Sequence, residues 1–202
     1  VFAADGECVP IKATDIPALV GFAVSHGVGY AVVTPDDPLV LGAVDALEAA
    51  GVPCFGPRAN AAIIEGSKAF SKQLMKKYGI PTAAYEIFTD REAALAYLKT
   101  VTFPTVIKAD GLALGKGVII AETLSEAQAA VNAMMLEGAF GKSGERIVIE
   151  QYLTGPEVSV LSFTDGKTIV PMVSSMDHKR ALDGDRGLNT GGMGTFATNA
   201  SS

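Results

Sequence analysis

The chain has 202 residues, 49% of them apolar, enough to bury a packed core without cross-links, and its net charge of -6 leaves no general basic field for nucleic acid. Clustered lysines can still meet a phosphorylated small molecule. Two isolated cysteines, Cys8 and Cys54, with no CxxC, no apolar run of about 18 residues and no basic stretch leading into an apolar core, predict a soluble cytoplasmic protein with free thiols and no membrane partner. Val1 is not an initiator and "TFATNASS" stops without a closing helix, so a fragment of a longer chain is expected.

In chain order, "ATDIPALVGFAVSHGVG" has helical spacing at Leu19, Phe22 and Ala23, "YAVVTP" is a short strand, and "DPLVLGAVDALEAAG" is a helix with Leu39, Ala43, Val44 and Leu47 on one face. Asp36 or Asp37 is expected to cap it, and Gly51 before Pro53 to end it. "VPCFGP" is the next strand. Strand, helix, strand at this spacing predicts a parallel sheet with crossover helices.

"SKAFSKQLMKKYG" is another helix, with Ser67 as cap, Gly79 at its exit, Phe70, Leu74, Met75 and Tyr78 inward, and its lysines mostly outward. From about Thr82 the pattern becomes strand, helix, strand, loop, strand, helix, strand, an α+β unit with capping boxes at Thr89 with Glu92 and Ser125 with Gln128. "EVSVLSFTDGKTIVPMV" predicts a hairpin over an Asp165-Gly166 turn. The following "SSMDHKRALDGDRGLNTGGMG" lacks periodicity and is expected to be a binding loop.

"TVIKADGLALGKGVIIAE" poses the chemical question, because Lys108 interrupts an apolar strand just before a glycine-rich loop. It is not a P-loop: Asp110 stands five residues before Gly115, and Gly117 stands where Ser or Thr would hold magnesium. The backbone around Gly111, Gly115 and Gly117 is nevertheless open to a polyphosphate, and a shielded lysine is a strong point charge for it. Glu150 and Glu157 bracket a turn where carboxylates can accept from an adenine amine or ribose hydroxyls, with Tyr152 and Leu153 as apolar contacts. Lys179 and Arg180 offer adjacent cations, Asp177 an acceptor, and Gly191, Gly192 and Gly194 a loop able to close on a small ligand.

These segments, together with "TPDDPLVLGAVDALEAAGVPCFGP" and "EGSKAFSKQLMKKYGIPTA", resemble the ATP-grasp enzymes and, within them, the phosphoribosylamine–glycine ligase family, over nearly the whole chain. Lysine, strand and loop patterns are common to many ATP-grasp proteins, whereas "DHKR" followed by "NTGGMG" is specific to this family. The resemblance implies an ATP-grasp fold preceded by part of a parallel-sheet, Rossmann-like domain. Its divisions are 1–60 for the partial N-terminal α/β substrate domain, 61–85 for a helix and linker, 86–155 for the lid subdomain, and 156–202 for a partial core with the substrate loop.

It further implies that Lys68 and Lys108 contact ATP phosphates under a lid from Gly111 through Gly115 and Lys116 to Gly117. Glu150, Tyr152 and Leu153 would form the adenine hinge, and Glu157 the ribose ligand. Asp177, Lys179, Arg180, Asn189, Gly191 and Gly192 would line the site for glycine and 5-phosphoribosylamine, with Asp36 at the ribose edge of the first domain. Lys108, Lys179, Arg180 and Asn189 would take part in the chemistry. Magnesium or manganese is implied, with its ligands beyond Ser202. The chain departs from the family pattern at Thr34-Pro35-Asp36, Gln151 and Leu188. A monomer, inactive without the missing ends, is expected.

Overall fold

A computed structural model describes residues 6–112, 117–137, 141–184, 186–190 and 192–197. Helix α1 (Ile16–Ser25) starts where the Asp15 carboxylate accepts from the Ala18 N–H at 3.2 Å, one of the amide groups that a helix start leaves unpaired. Strands β1 (Ala31–Val32) and β2 (Cys54–Phe55) pair in parallel, the arrangement their helix-linked spacing predicts.

Between them the single expected helix divides into α2 (Asp36–Val40) and α3 (Ala43–Ala49). Gly42 takes φ 82°, a left-handed conformation in which a continuous helix cannot run. Pro35 is the residue before α2 and makes no side-chain cap; Asp36 and Asp37 instead occupy the first turn, where negative charge meets the helix dipole. The Asp45 carboxylate accepts from the Ala59 N–H at 2.8 Å, fixing the start of α4 (Ala59–Gly66). Ala23, Leu47 and Val52 form a small core here.

Helix α5 (Lys68–Tyr78) has the expected cap, Ser67 accepting from the Phe70 N–H at 3.1 Å, and the expected end, Gly79 in the left-handed region. Its inward face differs. Phe70 and Tyr78 are 37% and 64% exposed, whereas Lys72 is 8% exposed, because this helix lies against a charged sheet face that gives an ammonium partners.

That sheet comprises β3 (Tyr85–Phe88), β4 (Thr105–Ala109), β5 (Val118–Ala121) and β6 (Ile147–Gln151), antiparallel in the order β3-β6-β4-β5. Helices α6 (Arg91–Tyr97) and α7 (Leu124–Met135) cover one side, where Ile107, Ile147 and Ile149 pack against Leu98, Val131 and Met134. Alternation along the strands sends Lys108 and Glu150 to the other side, since Val106 pairs with Glu150 and Lys108 with Val148. Both expected capping boxes shift: Asp90 caps α6, and Thr123 caps α7 with Glu126 reaching back to the Glu122 N–H. "TLSE" is itself a capping-box sequence and begins two residues closer to the preceding strand than Ser125.

The described residues group into two compact units that divide between Tyr152 and Leu153. In the second, β7 (Ser162–Thr164) and β8 (Ile169–Pro171) form the expected hairpin with a longer turn, 165–168, in which the Asp165 carboxylate accepts from the Lys167 and Thr168 amides. The segment expected to be loop carries short antiparallel pairs: β9 (Ser175–Asp177) with β12 (Thr195–Ala197), and β10 (Arg180–Leu182) with β11 (Arg186–Asn189). Strands of three or four residues are too short to leave a periodic trace.

Candidate active site

Asp110, the residue after β4, holds the N-terminus of α5. Its carboxylate, 6% exposed, accepts from Ser67 Oγ at 3.0 Å and the Ala69 N–H at 2.9 Å, and pairs with Arg146 Nε at 2.9 Å. The Asp110 amide donates to the Ser143 and Arg146 carbonyls. A carboxylate at this end of a helix meets unpaired N–H groups and the positive end of the dipole. Lys68, the first residue of the helix, is thereby aimed at the end of the strand, and its Nζ donates to the Gly111 carbonyl at 2.7 Å. Burial pushes the Lys68 ammonium below the usual lysine range; Asp110 and Glu65 oppose that shift and Lys108 adds to it.

On the sheet, Lys108 pairs with Glu150 Oε1 while Lys72 Nζ lies 2.5 Å from Glu150 Oε2. The second contact is close but not aligned as a hydrogen bond, so it is chiefly a charge interaction. Lys72 also donates to Thr82 Oγ1 at 2.7 Å and sits 5.4 Å from the centre of the Tyr85 ring. Sequence reasoning missed Lys72 and Asp110. The four-residue spacing from Lys68 to Lys72, which puts both on one helical face, could have revealed the first.

A cleft of about 520 Å³ brings Asp36, Asp37, Glu65, Lys68, Gly117 and Val118 together. It therefore unites three residues expected at the site: Asp36, Lys68 and Gly117. Gly111 lines a separate hollow of about 540 Å³ with Asp110, Ser143 and Arg146. Gly115, Lys116 and Gly191 lie outside the described residues. Glu150, expected at the adenine hinge, is held between two lysines; Tyr152 is half-buried and Leu153 exposed.

In the second unit, Glu157, Asp177 and Lys179 line a hollow of about 680 Å³. Lys179 Nζ is 2.7 Å from Glu157 Oε1 and 3.7 Å from Asp177 Oδ1. The hydrogen bond to Glu157, chiefly, raises the Lys179 pKa. Arg180 and Asn189 are register partners on β10 and β11. Gly192 has φ 109° and its amide donates to Thr190 Oγ1. Among the described residues no three His, Cys, Asp or Glu side chains gather as metal ligands.

The lysine-bearing antiparallel sheet backed by two helices is the fold of an ATP-grasp domain. The family model described as "Phosphoribosylglycinamide synthetase, ATP-grasp (A) domain" matches residues 66–201, and that described as "Phosphoribosylglycinamide synthetase, N domain" matches 2–65. The chain belongs to the phosphoribosylglycinamide synthetase family. It is 56% identical over 191 residues to the phosphoribosylamine–glycine ligase of Allochromatium vinosum, covering 95% of this chain and 45% of that protein. Identity to the Yersinia pestis phosphoribosylamine–glycine ligase is 54% over 191 residues, again 95% of this chain and 45% of that one. The crystal structure of the Thermotoga maritima phosphoribosylamine–glycine ligase is similar with a TM-score of 0.66 at 40% identity, covering 70% of this chain and 36% of that one. The chain thus spans somewhat under half the length of these curated relatives.

Proposed function

We propose that the polypeptide carrying this chain joins glycine to 5-phosphoribosylamine at the expense of ATP, through a glycyl phosphate, giving glycinamide ribonucleotide, ADP and phosphate. The observation that carries this reading is that the chain contains the N domain and ATP-grasp matches of one ligase family in order, with Lys68 from α5 entering the cleft that holds Asp36.

In this reading Lys68 and Lys108 neutralise ATP phosphates, and the segment from Gly111 through Gly115, Lys116 and Gly117 closes over them. The Glu150-to-Leu153 segment receives the base and Glu157 the ribose hydroxyls. Asp36, Asp177, Lys179, Arg180, Asn189, Gly191 and Gly192 bind the two substrates, Lys179, Arg180 and Asn189 acting with Lys108 at the reacting groups. Residues 86–155 act as the lid and 156–202 carry the substrate loop. Magnesium or manganese, held by residues outside this stretch, would supply further charge neutralisation on the phosphates. Keeping water out and holding amine and acyl group together account for much of the rate. The acidic net charge fits a protein that acts on small molecules rather than nucleic acid, and in this reading it works in the cytoplasm as a monomer, away from membranes.

The test is ADP release by the full-length polypeptide with magnesium, ATP and phosphoribosylamine, with and without glycine. Release that requires glycine is expected. Absence of release despite tight ATP binding would reject the ligase in favour of another ATP-grasp substrate, or of a nucleotide-binding module without catalysis.

A further inference from the structure

Glu150 is surrounded by more positive charge than one carboxylate needs. It is 6% exposed, meets Lys108 through Oε1, and has Lys72 Nζ 2.5 Å from Oε2. The two lysines differ in what else holds them. Lys72 is buried, with Thr82 Oγ1 at 2.7 Å, the Ala83 carbonyl at 3.4 Å and the Tyr85 ring at 5.4 Å fixing its ammonium. Lys108 has a side chain 27% exposed on the sheet face turned away from α6 and α7, next to the charge of Lys68. Of the two, Lys72 is the more deeply buried and the more firmly held.

We propose that Lys72 is a positioning residue: it fixes Glu150 and supplies the countercharge that keeps this carboxylate paired when Lys108 turns to a ligand phosphate. The inference rests on the reading of Lys108 as a phosphate contact. A buried carboxylate deprived of its only cation is strongly disfavoured, more so than the intact pair is favourable. Without Lys72, departure of Lys108 would strand Glu150, so Lys108 would stay on the carboxylate and phosphate affinity would fall. With Lys72 in place, Lys108 can exchange one anion for another at little cost. Lys72 acts in this way through Glu150 and needs no contact with the ligand.

The test is calorimetric titration of ATP into the full-length polypeptide, comparing wild type with Lys72→Met, Lys72→Arg, Glu150→Gln and the double variant Lys72→Met/Glu150→Gln. Lys72→Met is expected to raise the dissociation constant on the order of tenfold, about 1.4 kcal/mol, and Lys72→Arg less. The double variant is expected to bind no more weakly than Glu150→Gln, because no buried carboxylate remains to be stranded. Unchanged affinity in Lys72→Met overturns the assignment, as does an equal loss on the Glu150→Gln background, which would mark a role independent of Glu150. If Lys72→Met does not fold, Glu150→Gln must restore folding, and a double variant that also fails to fold overturns the assignment too. Failure of the wild type to bind ATP is a separate outcome: it rejects the phosphate reading and this inference with it.

Discussion

Lys68 and Lys108 both present an ammonium near the end of β4, the first donating to the Gly111 carbonyl and the second paired with Glu150. Burial pushes the Lys68 pKa down, so over the window between that lowered value and the ordinary lysine value the folded protein binds fewer protons there than the unfolded chain. Stability from this group therefore rises with pH across the window while the charge available to a phosphate disappears. ATP affinity is expected to fall on the alkaline side before an ordinary lysine would titrate, and Lys68→Arg to move that fall to higher pH; a pH series of titrations checks it. Lys108 keeps a carboxylate partner. Lys108→Met is expected to leave the fold intact, since Lys72 still pairs with Glu150, and to weaken ATP by roughly 1.5–3 kcal/mol, the range for hydrogen bonds to charged groups. Calorimetry with a circular dichroism melt separates the two effects.

At the level of elements, the start of α5 depends on a few atoms. Ser67 both caps the helix and donates to Asp110, so Ser67→Ala removes a cap and weakens the tie between helix and sheet. About 1–2 kcal/mol of stability should be lost, read from urea unfolding at constant slope. This junction also marks what the sequence disclosed. Ser67 and Gly79 bound the helix correctly because caps are local chemistry. Which residues faced inward was misjudged, because a periodic apolar face predicts burial only against an apolar neighbour, and α5 meets Glu150. The break at Gly42 and the strands of 175–197 were likewise invisible, one set by a single backbone angle and the others by pairing between distant short segments. Lys108 was legible because a charge inside a run of β-formers violates the local pattern.

For the whole molecule, the contrast lies between a unit with a continuous core and one whose strands are short and largely exposed. Ile107, Ile147 and Ile149 are essentially inaccessible, whereas Phe163, Ile169 and Val170 are each more than half exposed. Amide exchange followed by mass spectrometry should accordingly find the slowest positions in β4 and β6 and rapid exchange through 162–171. Uniform protection across both stretches would contradict this. A second check uses packing: Ile107→Ala should cost about 2–5 kcal/mol, in the range for large-to-small core changes, measured by the shift in unfolding midpoint.

The alternation of Ile107 and Lys108 along β4 has a consequence for how this sequence can vary. Deleting or inserting a single residue within the strand would exchange the two faces, driving an ammonium among Leu98, Val131 and Met134 and presenting an apolar side chain where Glu150 meets a cation. The same error would thus injure the apolar core and the Lys108–Glu150 pair together. Length changes in this strand should be purged whichever property selection is acting on, and tolerated ones should collect in the connections on either side.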